Sequence, residues 1–164
     1  VNSVRPLSLE DSEAIATLPH VHAVNPSLFG NVAVEGGGRT RRTFANGVAP
    51  SMPEVWRFPV AEGKFLPPDD ARNARAFAVL GHSLRRELFG EKNPLGEIVR
   101  IGGDRYRVVG VMSPKGQFLG IDLDDTAFVF GSILPTVGID FSQPNGTFLV
   151  DSNYWYAHDA DPLL

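Results

Sequence analysis

Residues 76–112 read AFAVLGHSLRRELFGEKNPLGEIVRIGGDRYRVVGVM, and this stretch decides the fold class. Ala76–Leu80 is a short apolar run of buried-strand type, and Gly81 turns the chain out of it. Ser83–Phe89 then sets Leu84 and Leu88 four apart on one helical face, with Gly90 at the position just past the helix end. Ile98–Ile101 and Tyr106–Val111 flank the turn Gly102-Gly103-Asp104, which makes the clearest β-hairpin in the chain. A strand and helix followed directly by a hairpin predicts an α+β domain rather than an all-helical or purely parallel one.

Working outward, Ser8 with Asp11 three residues later resembles a capping box, and Ala14, Ile15 and Leu18 give the following helix an apolar face until Pro19 stops it. Val21–Val24 alternates apolar and polar residues around His20 and His22, predicting an extended run. A second extended run passes through Leu28, Phe29, Val32 and Val34 to Gly36-Gly37-Gly38, and Arg39–Val48 returns from it as a hairpin with a basic tip. Pro50–Asp70 mixes prolines with Met52, Val55, Trp56, Phe58 and Phe65 and predicts a short helix or turn followed by loop. Downstream, a Gly/Asp-rich loop leads into an apolar strand at Ala127–Phe130, and beyond Ile139 the pattern weakens.

The 164 residues fit one domain, which by surface scaling can bury about 69% of its unfolded surface. With 43% hydrophobic and 21% charged residues the chain is neither disordered nor a coiled coil. A net charge of −4 argues against a general nucleic-acid binder, because phosphate neutralisation needs a basic face. Zero cysteines exclude disulfides, thiolate catalysis and Cys-based zinc sites. The longest apolar stretch, Ala127–Ile139, is 13 residues broken by glycine and proline, short of the roughly 20 that span a bilayer. The chain opens on Val1 without a signal-peptide pattern and reads as a piece cut from a longer protein.

Each candidate chemical constellation has a plainer structural reading. Gly81-His82-Ser83 lies between strand and helix like a nucleophile elbow, but Arg85 stands where the second glycine is needed, and Ser83 is better placed as a helix N-cap. His20 and His22 would share a strand face and could hold a metal with His82 or His158, yet no spacing supplies the third ligand. Asp122, Asp124 and Asp125 lack the glycine and glutamate of a calcium loop and read as a solvated turn. Asn145-Gly146-Thr147 matches a glycosylation sequon, relevant only in a eukaryotic secretory setting. Arg39, Arg41 and Arg42 at the hairpin tip are candidate partner contacts for an anionic surface, although hairpin tips are often charged for solubility. Trp56 and Phe58 either pack in the core or form an exposed apolar contact patch, and are carried as candidates alongside the arginines. No catalytic, cofactor-binding or metal site is expected, so the chain reads as a non-enzymatic binding or scaffolding module.

The order of segments resembles the periplasmic core domain of MacB-like ABC transporter permeases. The features that carry this are Leu9, Ala14, Pro19 and Val24-Asn25-Pro26, then Gly63-Lys64-Phe65 with Asp69 and Asp70. Val79-Leu80-Gly81, Leu88-Phe89-Gly90, Pro94-Leu95-Gly96 and Val108-Val109-Gly110-Val111 follow in order, so the likeness runs from Ser8 to Phe130. After Phe130-Gly131, where the family places a further β-α-β segment, residues 138–164 show little helical pattern.

The resemblance implies one extracytoplasmic domain over 1–164, with an α+β lobe at about 1–47 and 113–164 and an inserted β-rich lobe at about 48–112. It implies a domain outside the inner membrane, on its periplasmic side, flanked by membrane helices beyond this chain. Such a domain relays ATP-driven motion to the export of antibiotics or peptides or to partner control, without cofactor or catalysis. Its implied partners are a cytoplasmic ATPase subunit or domain, a second permease copy and a periplasmic adaptor. The alternative is a free-standing periplasmic or secreted ligand-binding protein with an apolar cleft around Trp56, Phe58 and Phe65.

Overall fold

A computed structural model describes residues 9–69, 74–118, 120–131 and 148–150. The elements are α1 (Leu9–Ala16), β1 (Pro26–Gly36), β2 (Arg39–Val48), α2 (Met52–Val55), β3 (Val60–Gly63), β4 (Phe77–Leu80) and α3 (His82–Phe89). They continue with β5 (Ile98–Ile101), β6 (Asp104–Met112), β7 (Gln117–Phe118), β8 (Ile121–Asp122), a 3-10 turn (Leu123–Asp125), β9 (Thr126–Phe130) and β10 (Phe148–Val150).

Strand pairing closes on itself. β1, β2, β9, β4 and β6 are neighbours in that order, and β5 pairs with β6 on one side and with β1 on the other, completing a ring of six strands. β10 lies beside β1 and β3 beside β6, outside the ring path. Because side chains alternate across a strand, the ring has an inside and an outside, and this chain buries both. Inside sit Val32, Val34, Ala45, Ala78, Leu80, Val99, Ile101, Tyr106, Val108, Ala127 and Val129, joined by Leu84, Leu88 and Phe89 of α3. Outside, Phe29, Val48, Val79, Met112, Phe128 and Phe130 meet Met52, Val55, Trp56, Phe58, Leu66 and Leu123. The five residues of β9 are all buried, as a strand covered on both faces requires.

Local sequence explains the joints. The β1–β2 turn is Gly37-Gly38, both at positive φ (57° and 77°), as a two-residue hairpin loop demands. A Cβ at Gly37 would also lie 2.2 Å from the Leu88 carbonyl, so this turn is packed against the end of α3. Gly81 ends β4 where the 3-10 turn passes, and a Cβ there would sit 2.4 Å from the Asp124 carbonyl oxygen.

Both expected hairpins, the Ala76–Leu80 strand, the helix after it and the Ala127–Phe130 strand are present, and the fold is α+β with few short helices. β3 to β6, from the segment expected as the inserted lobe, share their sheet with β1, β2 and β9 from the segments flanking it. The extended run at 21–24 is not a strand. His20 turns the chain at φ 65°, and Val21, Ala23 and Val24 rest on the outer core without a ladder partner among the described residues. The proline-rich loop conceals β3, and the Gly/Asp-rich loop conceals β7, β8 and the 3-10 turn. β3 has too few apolar residues to show periodicity, and its strand state comes from pairing with Gly110–Met112. Ser8 lies outside the described residues.

Two expectations follow from the packing. Gly81→Ala forces the 3-10 turn away from β4 and lowers stability by about 2 kcal/mol, read as a fall in thermal midpoint without loss of the fold. Tyr106 is 1% exposed and its hydroxyl has no hydrogen-bond partner among the described residues. Burial first, and the Asp104 carboxylate second, raise its phenol above the ordinary value near 10. Well below pH 10 the phenol is neutral in both states. Above it the unfolded chain releases this proton while the folded chain keeps it, so stability declines by up to about 1.4 kcal/mol per pH unit. Tyr106→Phe therefore flattens the alkaline side of a denaturation-versus-pH curve and leaves stability at neutral pH unchanged or higher.

Candidate functional site

The pleat of β2 separates the three arginines of the hairpin tip. Odd positions of β2 face the ring interior, as Ala45 does, and even positions face outward. Arg39 and Arg41 accordingly turn toward α3 and the 3-10 turn. Arg39 Nη1 donates to the Glu87 carbonyl at 3.0 Å. Arg41 donates through Nε and Nη2 to the two carboxylate oxygens of Asp125, each at 2.9 Å, and lies 3.7 Å from Glu87. This bidentate bond, more than any other influence, holds the Arg41 pKa above its ordinary value. Arg41 is thus a strut between β2 and the 3-10 turn, whereas Arg42 is exposed.

Trp56 and Phe58 are not surface residues. They are 4% and 0% exposed, which removes both from the candidate contacts. Trp56 stacks on Phe29 with ring centres 6.5 Å apart and meets Phe118 at 5.9 Å; Phe58 stands edge-on to Phe128 at 5.8 Å. Aromatic pairs of this kind stabilise by about 0.5–1.5 kcal/mol beyond area burial, so the proline-rich segment serves the outer core. Phe65 packs against the same cluster, and the space assigned to an apolar cleft is filled by side chains. Lys115 Nζ donates to the carbonyls of Trp56 and Arg57 at 3.1 and 3.4 Å and closes this segment from above.

The remaining candidates resolve into structural roles. Asp122 accepts the Asp124 amide at 3.0 Å, Asp124 accepts the amides of Lys115 and Gly116 at 2.7 and 3.0 Å, and Asp125 holds Arg41. The acidic turn is therefore a set of brackets rather than a merely solvated loop. Gly81, not Ser83, is the N-cap of α3, and Ser83 has no hydrogen-bonded base among the described residues. His22 pairs with Glu54, and no group of three metal-ligating side chains occurs among the described residues. His158 and the sequon at Asn145 lie outside them.

An open groove of about 470 Å³ runs beside the hairpin turn, lined by Glu35, Gly36–Thr40, Ile98, Arg100 and Arg105. Register builds it: Thr40 of β2 pairs with Glu35 of β1, Glu35 with Arg100 of β5, and Arg100 with Arg105 of β6. Arg100 and Arg105 were passed over in the sequence. The signal was the alternation in IVRI and DRYRV, which puts Arg100, Arg105 and Arg107 on one hairpin face.

The family described as "MacB-like periplasmic core domain" matches residues 2–154. The pyoverdine export ATP-binding/permease protein PvdT of Pseudomonas aeruginosa is 36% identical over 114 residues, covering 70% of this chain and 17% of that protein. The macrolide export ATP-binding/permease protein MacB of Syntrophobacter fumaroxidans is 39% identical over 126 residues, covering 75% of this chain and 18% of that protein. The chain thus spans under a fifth of the length of these relatives. Among solved structures, the periplasmic region of MacB from Actinobacillus actinomycetemcomitans superposes with a TM-score of 0.72 at 19% identity, over 90% of this chain and 64% of that one. The extracellular domain of the transporter YknZ gives 0.67 at 21% identity, over 89% of this chain and 74% of that one. On sequence and fold together, this chain belongs to the family of MacB-like periplasmic core domains.

Proposed function

We propose that the chain is the extracytoplasmic domain of an ABC transporter permease, and that it transmits ATP-driven motion of membrane helices to the export of a cargo or the control of a partner. The observation that carries this reading is the closed ring with its two shared cores. β4 and β9 contribute alternate residues to both, so displacement at one end cannot be absorbed by sliding between layers. A part that relays movement needs that stiffness; an apolar-ligand binder needs an open cleft, and the aromatic segment is packed shut.

In this reading residues 1–164 act as one domain, with the stretch at about 48–112 an insertion that completes the common ring. No helix among the described residues is long and apolar enough to cross a membrane. The proposed permease has its anchoring helices outside these residues. The relatives named above are export ATP-binding/permease proteins, which supports an ATPase as the energy source, and the periplasmic family and the extracellular structures it resembles support a position on the outer side of the membrane. A second permease copy and a periplasmic adaptor complete the proposed assembly. Arg39 and Arg42 are its partner contacts at the hairpin tip, with Arg41 as the strut that holds that tip in place.

The 164 residues hold no cysteine, so the test introduces thiols here, in a full-length permease and ATPase whose cysteines elsewhere have been replaced by serine. A maleimide that cannot cross membranes should label Glu91→Cys in intact cells from outside; labelling only after lysis contradicts the assignment. Spin labels at Gln117→Cys and Glu91→Cys in one copy should keep their separation when ATP is added, while the distance between equivalent labels in two copies changes. A change within one copy of the domain would show that it deforms instead of transmitting.

A further inference from the structure

The outer face of the ring is covered over only part of its length. Toward one end, α2, the Trp56–Leu66 segment and the 3-10 turn pack on Phe29, Val48, Val79 and Phe128. Toward the hairpin turn the same outward positions are exposed: Thr40 and Arg42 on β2, Glu35 on β1, Ile98 and Arg100 on β5, Arg105 and Arg107 on β6. Registers 40/35, 35/100 and 100/105 make Thr40, Glu35, Arg100 and Arg105 successive cross-strand neighbours, Ile98 lies opposite Arg107, and Arg42 shares the face two residues along β2 from Thr40, opposite Ala33.

Four arginines there face one glutamate, in a chain whose net charge is −4. None of the four has a carboxylate partner within 4 Å among the described residues, while Arg41, Arg75 and Arg85 each do. Arg100 and Arg105 face each other directly across β5 and β6 and repel, so this pair costs stability unless an anion covers it. All four cations are arginine, whose planar fork binds carboxylates bidentately, and none is lysine. Ile98 is 43% exposed between Arg100 and Arg107 and lines the open groove.

We propose that this face binds an acidic polypeptide segment, its carboxylates pairing with Arg42, Arg100 and Arg105 and one of its apolar side chains covering Ile98. A lipid surface fits less well, because one partly exposed aliphatic residue among the arginines offers headgroups charge but no apolar face to insert. The proposal rests on the partner-contact reading of the hairpin tip and moves its centre from the turn to β5 and β6.

The test uses the 164-residue chain, a fluorescent peptide of Glu and Asp with a central leucine, the same peptide with Gln for every acid, and phosphatidylglycerol vesicles. The acidic peptide should bind and the Gln peptide should not, with binding lost in roughly 1 M salt, where the screening length is about 3 Å. Arg100→Glu with Arg105→Glu should weaken binding by about tenfold or more at an unchanged thermal midpoint, since both side chains are exposed. Equal affinity for the two peptides, or for vesicles alone, overturns the proposal. Loss of binding in Arg39→Glu but not in the double variant sinks the β5–β6 site while sparing the tip, and retention in both removes the tip as well.

Discussion

Closure of the ring depends on one short strand. β5 has four residues, yet it is hydrogen-bonded along one side to β6 and at its end to Val34 and Glu35 of β1. Without it the Val34–Glu35 end of β1 and the Asp104–Arg107 half of β6 would be open edges, and the cluster around Val99, Ile101 and Phe89 would lie exposed to water. With it, α3 can drive Leu84, Leu88 and Phe89 into a space bounded by strands. The hairpin turn then lies so close to α3 that Gly37 has no room for a side chain.

The second constraint is the acidic turn. Its three aspartates spend their oxygens on the chain itself: on a neighbouring amide, on the loop at Lys115–Gly116, and on Arg41 of β2. Thr43 donates its hydroxyl to the Asp125 carbonyl, and Gly81 donates its amide to the Thr126 carbonyl at 2.8 Å. The turn is thereby tied to β2 and β4, on either side of the strand it feeds. Exposed ion pairs alone contribute little, about 0–1 kcal/mol. Here the bidentate pair and the backbone bonds fix the position of β9, on which both cores depend. In the proposed reading rigidity and function meet at this point, since a body that relays motion must not yield where its inner and outer layers join.

Much of this was legible in the residues. The AFAVL strand, the Leu84/Leu88 helix with Gly90 after it, and the two glycine-centred hairpins carry local signals strong enough to stand alone. Ring closure was not legible: nothing local in Ile98–Ile101 reveals that its far edge meets Glu35, because that pairing joins segments some 65 residues apart. β3 was hidden for the same reason, being a strand only by virtue of β6. The candidate contacts were half legible. Spacing could group Arg39, Arg41 and Arg42, but only the pleat shows that Arg41 turns inward to Asp125 while Arg42 turns outward toward Arg100 and Arg105. Trp56 and Phe58 failed as contacts because proline-rich sequence does not reveal which core it folds over.

Native-state hydrogen exchange, followed amide by amide, shows whether the ring opens as one body or in parts. If the ring is a single stiff body, slowly exchanging amides of β1, β2, β4, β5, β6 and β9 share one opening free energy, equal to that of global unfolding. If β4–β6 open together at distinctly lower free energy than β1, β2 and β9, the inserted stretch is a separate unit and the account of a rigid transmitting domain fails.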